Sequence, residues 1–551
     1  MSVSSTSPLQ PGRLIASFDI GSSAVKAVLV NRDGELQLAH TVSYRHGGAS
    51  GEQDCEDWWL AFCEVLQRWW AQGAAPSHIA ALTFSGQMQC LLPLDAAGAA
   101  LRPALLHSDA RAGAAADRIT EQLGADEIFR VTRNPFNATS VLAKMLHLRE
   151  HEAAVWARTE RVLVGAKDFV VHRLTGRAVC DPSTAATTGV LDIQQGVWAH
   201  AWLTALGLKQ VLPELLNADE VVGGVTAQAA ALTGLSAGCP VFCGLGDAAA
   251  TTLGAGVSQA SQCYAYLGTS GWVARMSAGY NPQGAPLFVL PCWPGEASQV
   301  SHQPRRILIG PISNAGAVHR WALGLLGDVE TLTAEHPIEA QRYARFEQAV
   351  ASAPFDSQLL FLPYLSSERL PVNSAAGQGV IYGLSLNTTR AQMMRAALEG
   401  VSMSLRWALD LLQAEAVSAV LAGASGAGAA APHRELIVVG GATRSAQWMQ
   451  ILANTFDAPL RIAADADLLP CLGAAATAAA ALRWSPSPAA FVEQRRVTEA
   501  RKGVQMQQME QMNQIEQRVL PNAQAALEMA EKSRRWRSLQ AAVSTVTAAR
   551  P

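Results

Sequence analysis

Two segments of the chain, one near its start and one near its middle, share the same order of strand, small polar turn and strand. In the first, an apolar run ending at Ile20 is followed by Gly21-Ser22-Ser23 and a second β-rich run. In the second, Cys263–Leu267 is followed by Gly268-Thr269-Ser270-Gly271 and another apolar run. The likeness is one of pattern, and it predicts an α/β protein with two related halves, each a mixed β-sheet flanked by helices.

Both turns have the composition of a phosphate-binding loop. Gly, Ser and Thr at the end of a strand expose backbone N–H groups to phosphate oxygens, because no bulky side chain blocks the approach. Two such turns in matching positions could hold a polyphosphate from both sides of a cleft. The alternative for each turn is an ordinary tight hairpin with polar capping. The chain has no GxxxxGK[ST] motif, which excludes a P-loop.

Carboxylates and glycines at other strand ends add to this pattern. Asp19, just before the first turn, could hold Mg²⁺, usually through water. Asp247 lies at a strand-to-helix junction, where a carboxylate could act as general base for a hydroxyl attacking a γ-phosphoryl group. A helix N-cap is the alternative for Asp247. Gly440-Gly441 follows another strand and could lie against a flat ring or phosphate, or be an ordinary strand-to-helix turn.

Composition excludes several other classes of protein. Lys and Arg number 42 against 45 Asp and Glu, a net charge of −3, so charge gives no reason to expect binding to nucleic acid or an anionic membrane. The nine cysteines are scattered and never form CxxC, which argues against a disulfide framework or a structural zinc site. The chain shows neither a signal-peptide pattern nor a long apolar run, and we expect a cytoplasmic protein.

With these motifs in place, the sequence resembles the FGGY family of carbohydrate kinases, in the actin-like ATPase superfamily, over most of residues 13–484. Phe18–Ser23 with Lys26 is similar to the family's first phosphate motif, and Leu267–Gly271 to its second. Pro363–Arg369 resembles the family's PYLSGERTP loop. The most specific match is the second FGGY signature, which begins at Gly379. The resemblance implies two actin-like (ribonuclease H-like) ATPase domains with a cleft between them.

The resemblance also implies a domain division. Residues 13–257 would form an N-terminal, sugar-binding domain, and residues 263–484 a C-terminal, nucleotide-binding domain. The prolines of Ser485-Pro486-Ser487-Pro488 interrupt the chain. We expect residues 485–551 to form a helical appendage, only partly ordered.

The resemblance assigns a role to each matching position. Asp247 would be the catalytic base, Asp19 would lie near Mg²⁺ and the γ-phosphate, and Thr269 would contact the transferred phosphoryl group. ATP and Mg²⁺ are the cofactors implied. Nucleotide contacts are implied for Gly21, Ser22, Ser23, Gly268, Thr269, Gly316, Arg320, Gly441 and Ser445.

For the sugar, the resemblance implies contacts from Met88, Gln89 and Asp109. Here the sequence departs from the family pattern. Gln89 stands where the family has His, and His107-Ser108 where it has Trp-Asn. Glutamine can hydrogen-bond a hydroxyl but cannot carry charge. The first FGGY signature, around Lys144, is also imperfect. The phosphate machinery is therefore kept, while the sugar pocket is altered.

The expected activity is ATP-dependent phosphorylation of a sugar hydroxyl, with conversion of D-xylulose to D-xylulose 5-phosphate as the leading candidate. The alternatives are a kinase for another ketose or polyol, such as ribulose or glycerol, and a catalytically weak sugar-sensing protein on the same scaffold. Retention of Asp19, Thr269 and Asp247 speaks against the sensor. The expected partner is a small-molecule sugar, without nucleic acid or membrane. Oligomeric state is left open, a homodimer being one form.

Overall fold

The computed structural model describes residues 13–45, 51–259, 262–277, 279–280, 286–293, 305–325, 336–366, 368–370, 377–421, 435–463, 465–507 and 517–548. The strands of the N-terminal half are β1 (Leu14–Ile20), β2 (Ala24–Asn31), β3 (Leu36–Ser43), β4 (Glu52–Gln53), β5 (Ile79–Gly86), β6 (Leu92–Leu94), β7 (Ala104–Leu105), β8 (Arg161–Leu163), β9 (Val179–Cys180), β10 (Leu191–Asp192), β11 (Val197–Trp198), β12 (Glu214–Leu215), β13 (Val221–Gly224), β14 (Pro240–Phe242) and β15 (Leu245–Gly246). Those of the C-terminal half are β16 (Cys263–Leu267), β17 (Gly271–Ser277), β18 (Phe288–Pro291), β19 (Arg306–Ile312), β20 (Leu360–Leu362), β21 (Val380–Tyr382), β22 (Leu436–Val439), β23 (Leu460–Ile462) and β24 (Gln517–Val519).

Helices flank these strands in both halves of the described chain. In the N-terminal half they are α1 (Cys55–Ala71), α2 (Gly113–Leu123), α3 (Ala125–Thr132), α4 (Val141–His151), α5 (Ala153–Arg158), α6 (Ala166–Thr175), α7 (Pro182–Ala185), α8 (His200–Ala205), α9 (Ala227–Thr233) and α10 (Asp247–Gly254). In the C-terminal half they are α11 (Gly316–Gly324), α12 (His336–Ser352), α13 (Arg390–Leu421), α14 (Ala446–Phe456), α15 (Leu469–Ala481), α16 (Pro488–Gln507) and α17 (Ala523–Ala548). Among the residues with described positions, no helix is long and apolar enough to cross a membrane.

The first sheet has the strand order β13-β14-β5-β1-β2-β3, with β15 also paired to β5. Strand β1 pairs antiparallel with β2 and parallel with β5. Because helices cover both faces of its centre, β1 is buried along its entire length, which explains its continuous apolar run. On the outer face, Phe18 contacts Phe62 and Trp69 of α1, with ring centroids 4.7 and 5.2 Å apart.

The second sheet repeats the central arrangement of the first. Its order is β18-β19-β17-β16-β22-β23-β24. Strand β16 pairs antiparallel with β17, as β1 does with β2, and parallel with β22, as β1 does with β5. The prediction of two related α/β halves with mixed sheets is therefore confirmed.

Two helices join the halves. Helix α15 packs against α10 and lies on β1 and β5 of the first sheet. The backbones of α10 and α15 touch, since a Cβ at Gly473 would lie 1.9 Å from the carbonyl oxygen of Ala250 and one at Gly254 would lie 2.1 Å from that of Leu469. The Ser17 hydroxyl donates a 2.6 Å hydrogen bond from β1 to the Cys471 carbonyl oxygen. A segment of the C-terminal half thus completes the core of the N-terminal one.

The end of the chain packs on both halves: α16 lies against α15, α10 and the Gly34 turn of the first half, whereas β24 and α17 pack on the second half. The predicted appendage contains helices α16 and α17 and also strand β24, which pairs antiparallel with β23 at the sheet edge. The Trp536 ring of α17 is fully buried, and its Nε1 donates to the Phe361 carbonyl oxygen at 2.8 Å. Lys532 forms a buried ion pair with Glu399 at 2.6 Å. Residues 508–516 and 549–551 of the predicted appendage lie outside the described residues.

Candidate active site

The ends of three neighbouring strands bring two carboxylates to one edge of the first sheet. Gly86, the last residue of β5, pairs with Ile20 of β1 on one side and with Gly246 of β15 on the other. Adjacent strands lie about 4.8 Å apart, so Asp19 and Asp247 flank the end of β5. The structure therefore brings together the two side chains for which the sequence predicts catalytic roles.

Asp247 is the first residue of α10, and Gly246 occupies the N-cap position. Asp247 is therefore not the N-cap of this helix, which was the alternative role for it. Its Oδ1 accepts a 2.7 Å hydrogen bond from the backbone N–H of Ala248. Burial, and next the negative charge of Asp19, raise the pKa of Asp247 to about 7, while Arg369 acts in the opposite direction. A carboxylate with this pKa can accept a proton near neutral pH.

Asp19 is 6% exposed, and burial raises its pKa while the charge of Lys26 opposes the rise. Its Oδ1 is buried without a hydrogen-bond partner. An unpaired carboxylate oxygen of this kind fits a bound Mg²⁺ or a water on it. In the part of the chain that the structure describes, no cluster of three or more His, Cys, Asp or Glu could hold a metal ion. A magnesium ion here would take its other ligands from water and phosphate oxygens.

The first turn, which follows Asp19, is held rigidly. The carbonyl oxygen of Gly21 accepts hydrogen bonds from the Tyr44 hydroxyl at 2.8 Å and from Gln87 Nε2 at 3.2 Å. The backbone N–H of Gly21 donates to the Ala24 carbonyl oxygen at 3.1 Å. Ser22 and Ser23 are exposed at the tip, where they are free to meet a ligand.

The second turn is tied to the start of helix α11. The backbone N–H of Gly316 donates to the Gly268 carbonyl oxygen at 2.9 Å, and a Cβ at position 316 would lie 2.4 Å from that oxygen. Arg320 Nη2 lies 3.4 Å from the Thr269 hydroxyl. Gly268, Thr269, Gly316 and Arg320, predicted from distant parts of the sequence, form one cluster.

The glycine pair after β22 lies beside this turn. Val439 pairs with Tyr266, and Gly440 has a φ of 100° with no room for a Cβ, which would lie 2.5 Å from the Leu267 carbonyl oxygen. Gly441 follows at the start of a short 3₁₀ turn. Ser445 is the N-cap of α14, accepting from the Trp448 backbone N–H at 3.2 Å, and its hydroxyl also contacts Glu347. The Ser445 hydroxyl is thus already engaged within the protein.

The predicted sugar segment lies next to the candidate base. Met88 covers Gly246, since a Cβ at position 246 would lie 2.1 Å from the Met88 sulfur. Gln89 has a φ of 58° and donates from Nε2 to the Thr187 carbonyl oxygen at 3.1 Å. The amide nitrogen of Gln89 therefore points into the domain.

The second predicted sugar segment carries a carboxylate that is already paired. Both carboxylate oxygens of Asp109 contact Arg111, at 2.9 and 3.0 Å from its Nε. His107 is neutral, because burial and the charge of Arg369 lower its pKa to about 3. The sugar segments thus offer a neutral ring and a paired carboxylate.

Several polar groups around the site carried no role in the sequence analysis. A buried ion cluster of Lys167, Asp168 and Asp181 lies beneath the base: Lys167 Nζ is 2.7 Å from Asp168 and 3.0 Å from Asp181. Asp181 holds the Ser183 hydroxyl, which accepts from the Gly246 backbone N–H at 3.0 Å. The sequence signal that could have identified this cluster is the presence of charged residues next to apolar runs, as at Lys167-Asp168 before Phe169–Val171.

The loop Pro363–Arg369, matched in the sequence but given no role, is anchored beside the second turn. Glu368 accepts from Asn314 Nδ2 at 2.9 Å, and the Asn314 Oδ1 accepts from the Ser366 hydroxyl at 2.8 Å. The charge of Arg369 in this loop acts on Asp247 and on His107. A loop of the C-terminal half therefore faces the base and the sugar segment.

Comparison with known proteins identifies the family. Residues 14–254 match the N-terminal domain of the FGGY family of carbohydrate kinases, and residues 263–482 match its C-terminal domain. A xylulose kinase of Klebsiella pneumoniae is 31% identical over 468 residues, which cover 83% of this chain and 88% of that protein.

Solved structures show the same fold. A gluconate kinase and a ligand-bound xylulose kinase, both from Lactobacillus acidophilus, superpose with TM-scores of 0.78 and 0.77. Each is 23% identical, and each comparison covers 96% of this chain and 98% of the other. The chain belongs to the FGGY family of carbohydrate kinases, and its fold is the two-domain, actin-like fold of these ATP-dependent sugar kinases.

Proposed function

We propose that the protein transfers the γ-phosphoryl group of ATP to a hydroxyl of D-xylulose, giving D-xylulose 5-phosphate and ADP. The observation that carries this proposal is the position of Asp247. Its carboxylate, with a pKa of about 7, lies between the sugar segment at Met88 and the Asp19 carboxylate. The relatives named xylulose kinases support the choice of sugar.

In the proposed reaction, Asp247 accepts the proton of the sugar hydroxyl as its oxygen attacks the γ-phosphorus and ADP leaves. Backbone N–H groups at the exposed tips of the two turns, those of Ser22, Ser23 and Thr269, stabilise the negative charge that develops on the phosphoryl oxygens, together with the Thr269 hydroxyl. Arg320, beside Thr269, helps to hold the phosphates. Bound Mg²⁺ would neutralise phosphate charge, and Asp19 would hold it through water.

The nucleotide would lie on residues 263–484, at Gly268, Gly316 and Gly441, and the sugar on residues 13–257. The altered sugar segment bears on the acceptor. Gln89 directs its amide nitrogen to Thr187, and Asp109 is paired with Arg111. Only the side-chain oxygens of these two residues are therefore left to accept hydrogen bonds from the sugar, which restricts the hydroxyl patterns that the pocket can bind. Another ketose or a polyol such as ribulose or glycerol is the alternative acceptor, and only the pocket contacts separate these.

An ADP-release assay over a panel of acceptors tests the proposal. D-xylulose, D- and L-ribulose, several hexuloses and glycerol would be compared at equal concentration with MgATP, and product identity checked by mass spectrometry. We expect the largest kcat/KM with D-xylulose. A larger value for another acceptor would reassign the substrate, and nucleotide binding without turnover on any of them would favour a sensor.

A further inference from the structure

Tyr266 lies at the second turn with its ring in a fixed orientation. It stands in β16 directly opposite Trp272 in β17, and the two rings stack with centroids 3.9 Å apart and planes at 15°. Trp272 Nε1 in turn donates to the Tyr264 hydroxyl at 2.8 Å. The Tyr264 hydroxyl donates to the Ala248 carbonyl oxygen in the first turn of α10, at 3.2 Å. The Tyr266 ring is therefore held through contacts that reach the helix of the candidate base.

The hydroxyl of Tyr266 lies over Gly268. A Cβ at position 268 would be 2.4 Å from the Tyr266 hydroxyl oxygen, so the phenol occupies space that any side chain at 268 would need. Within the described ranges, this hydroxyl forms no hydrogen bond. Burial, then Asp19 and Asp247, raise the pKa of Tyr266. The phenol is thus a protonated, unused donor beside a turn whose tip residue, Thr269, is exposed.

From this geometry we infer that the Tyr266 hydroxyl donates a hydrogen bond to the terminal phosphoryl group of bound ATP. The inference rests on the proposed function, because it takes the Gly268 turn as the phosphate site. A phosphoryl oxygen that accepts from the turn's backbone N–H groups comes within reach of a donor lying over Gly268. Asp19 and Asp247 lie close enough for their charges to act on the Tyr266 hydroxyl, and those charges repel phosphate oxygens, which makes a neutral donor valuable here.

Tyr266→Phe tests this assignment because it removes the donor and keeps the stacked ring. Dissociation constants for ADP and for the β,γ-imido analogue of ATP would be measured by calorimetry. A hydrogen bond to a charged acceptor predicts about tenfold weaker binding of the triphosphate analogue, with ADP unchanged. We also expect kcat to fall by about tenfold or more while KM for the sugar stays the same. Tyr382→Phe, at an exposed tyrosine in β21, is the matched control.

The outcomes separate cleanly. Wild-type affinity for the triphosphate analogue in Tyr266→Phe would overturn the inference, and so would equal weakening of both nucleotides. Tyr266→Leu, which also removes the stacking on Trp272, should lower the melting temperature, whereas Tyr266→Phe should not. Since the binding measurements need no turnover, a wild-type protein that binds nucleotide but phosphorylates no sugar would refute the proposed function and leave the role of Tyr266 measurable.

Discussion

Lys144 Nζ donates a 2.9 Å hydrogen bond to the carbonyl oxygen of Gln89. The same ammonium donates to the Leu106 carbonyl oxygen at 2.7 Å. Gln89 belongs to the first segment predicted to contact the sugar, Leu106 directly precedes the second, and Lys144 itself is fully buried. Gln89 has the left-handed backbone conformation that non-glycine residues adopt only when their surroundings hold them there. Lys144 therefore positions both sugar segments through their main chains.

Lys144→Met should raise KM for the sugar by about tenfold, because it keeps the apolar stem but removes the hydrogen bond that the ammonium donates to the buried Gln89 carbonyl oxygen. The Leu106 carbonyl oxygen would still accept from the backbone N–H of Asp109. KM for ATP should stay unchanged, since the contacts of Lys144 lie on the sugar side. Steady-state kinetics with each substrate varied would measure both values. Lys209→Met is the matched control, because Lys209 also donates to two backbone carbonyls, those of Ala157 and Thr159. Unchanged KM for the sugar in a folded Lys144→Met protein would contradict this role.

Asp247→Asn should lower the rate of phosphoryl transfer by several orders of magnitude, while sugar and nucleotide still bind. Asparagine keeps the shape and the hydrogen bond from Ala248 but cannot accept the proton. Single-turnover assays would measure transfer, and calorimetry would measure binding. Asp33→Asn, in the exposed turn at the far end of β2, should behave like the wild type. Turnover near the wild-type rate in Asp247→Asn would refute the assignment of the base.

The rate should depend on pH through Asp247. Its pKa is raised to about 7, so the carboxylate is protonated and inactive as a base below this pH. We expect kcat/KM for the sugar to fall about tenfold for each pH unit below 7 and to level off above it. A pH profile at saturating MgATP measures this. A profile that stays flat down to pH 5 would show that another group takes the proton.

The same shift predicts a pH-dependent gain in stability for Asp247→Asn. The pKa of an unfolded aspartate is about 3.9, so the folded protein binds this proton more tightly and loses stability as pH rises through the interval from about 4 to 7. The asparagine variant does not lose this stability, because its side chain does not titrate. Its melting temperature should exceed that of the wild type by more at pH 8 than at pH 5, as differential scanning calorimetry would show. The reverse order would mean that folding favours the charged carboxylate.

Trp536→Ala should destabilise the protein by about 3 kcal/mol or more, because it opens a cavity where a fully buried indole packs against β20 and α13. Denaturant titration with two probes would measure the loss. Leu527→Ala, at a position of α17 that is 70% exposed, should change stability by less than about 0.5 kcal/mol. Equal stability of the two variants would mean that α17 contributes little to the core.

Local sequence signals predicted the parts of the fold that depend on local contacts. The two hairpins follow directly from apolar runs around small polar turns, and the alanine-rich run of residues 472–482 favours a helix over nearly the same residues as α15. The sequence pattern of residues 141–158 favours a single helix, but the structure has α4 and α5, separated at Glu152 with a φ of −129°. Glu152 pairs with Arg102, a contact that no helical periodicity reveals. Strand β24 was missed because three residues at a sheet edge acquire their register only from β23.

The candidate site shows the same division. Glycines and carboxylates at strand ends could be placed from the sequence, because such junctions meet at one edge of a sheet. The sequence could not show that Ser445 caps a helix or that Gln89 donates to Thr187, since those partners are set by packing. The sequence gives no local signal for the role of Tyr266, because only the pairing of β16 with β17 brings its ring to Gly268 and Trp272.

The contact between α10 and α15 has a consequence for how the enzyme could be altered. A methyl group at Gly473 would meet the Ala250 carbonyl oxygen, and one at Gly254 would meet that of Leu469. Either addition would push α15 away from α10, the helix that begins with Asp247. The two glycines thus fix how closely α10 and α15 approach each other. We expect a single added carbon at either position to change the width of the cleft, and with it the spacing between the phosphoryl donor and the sugar hydroxyl.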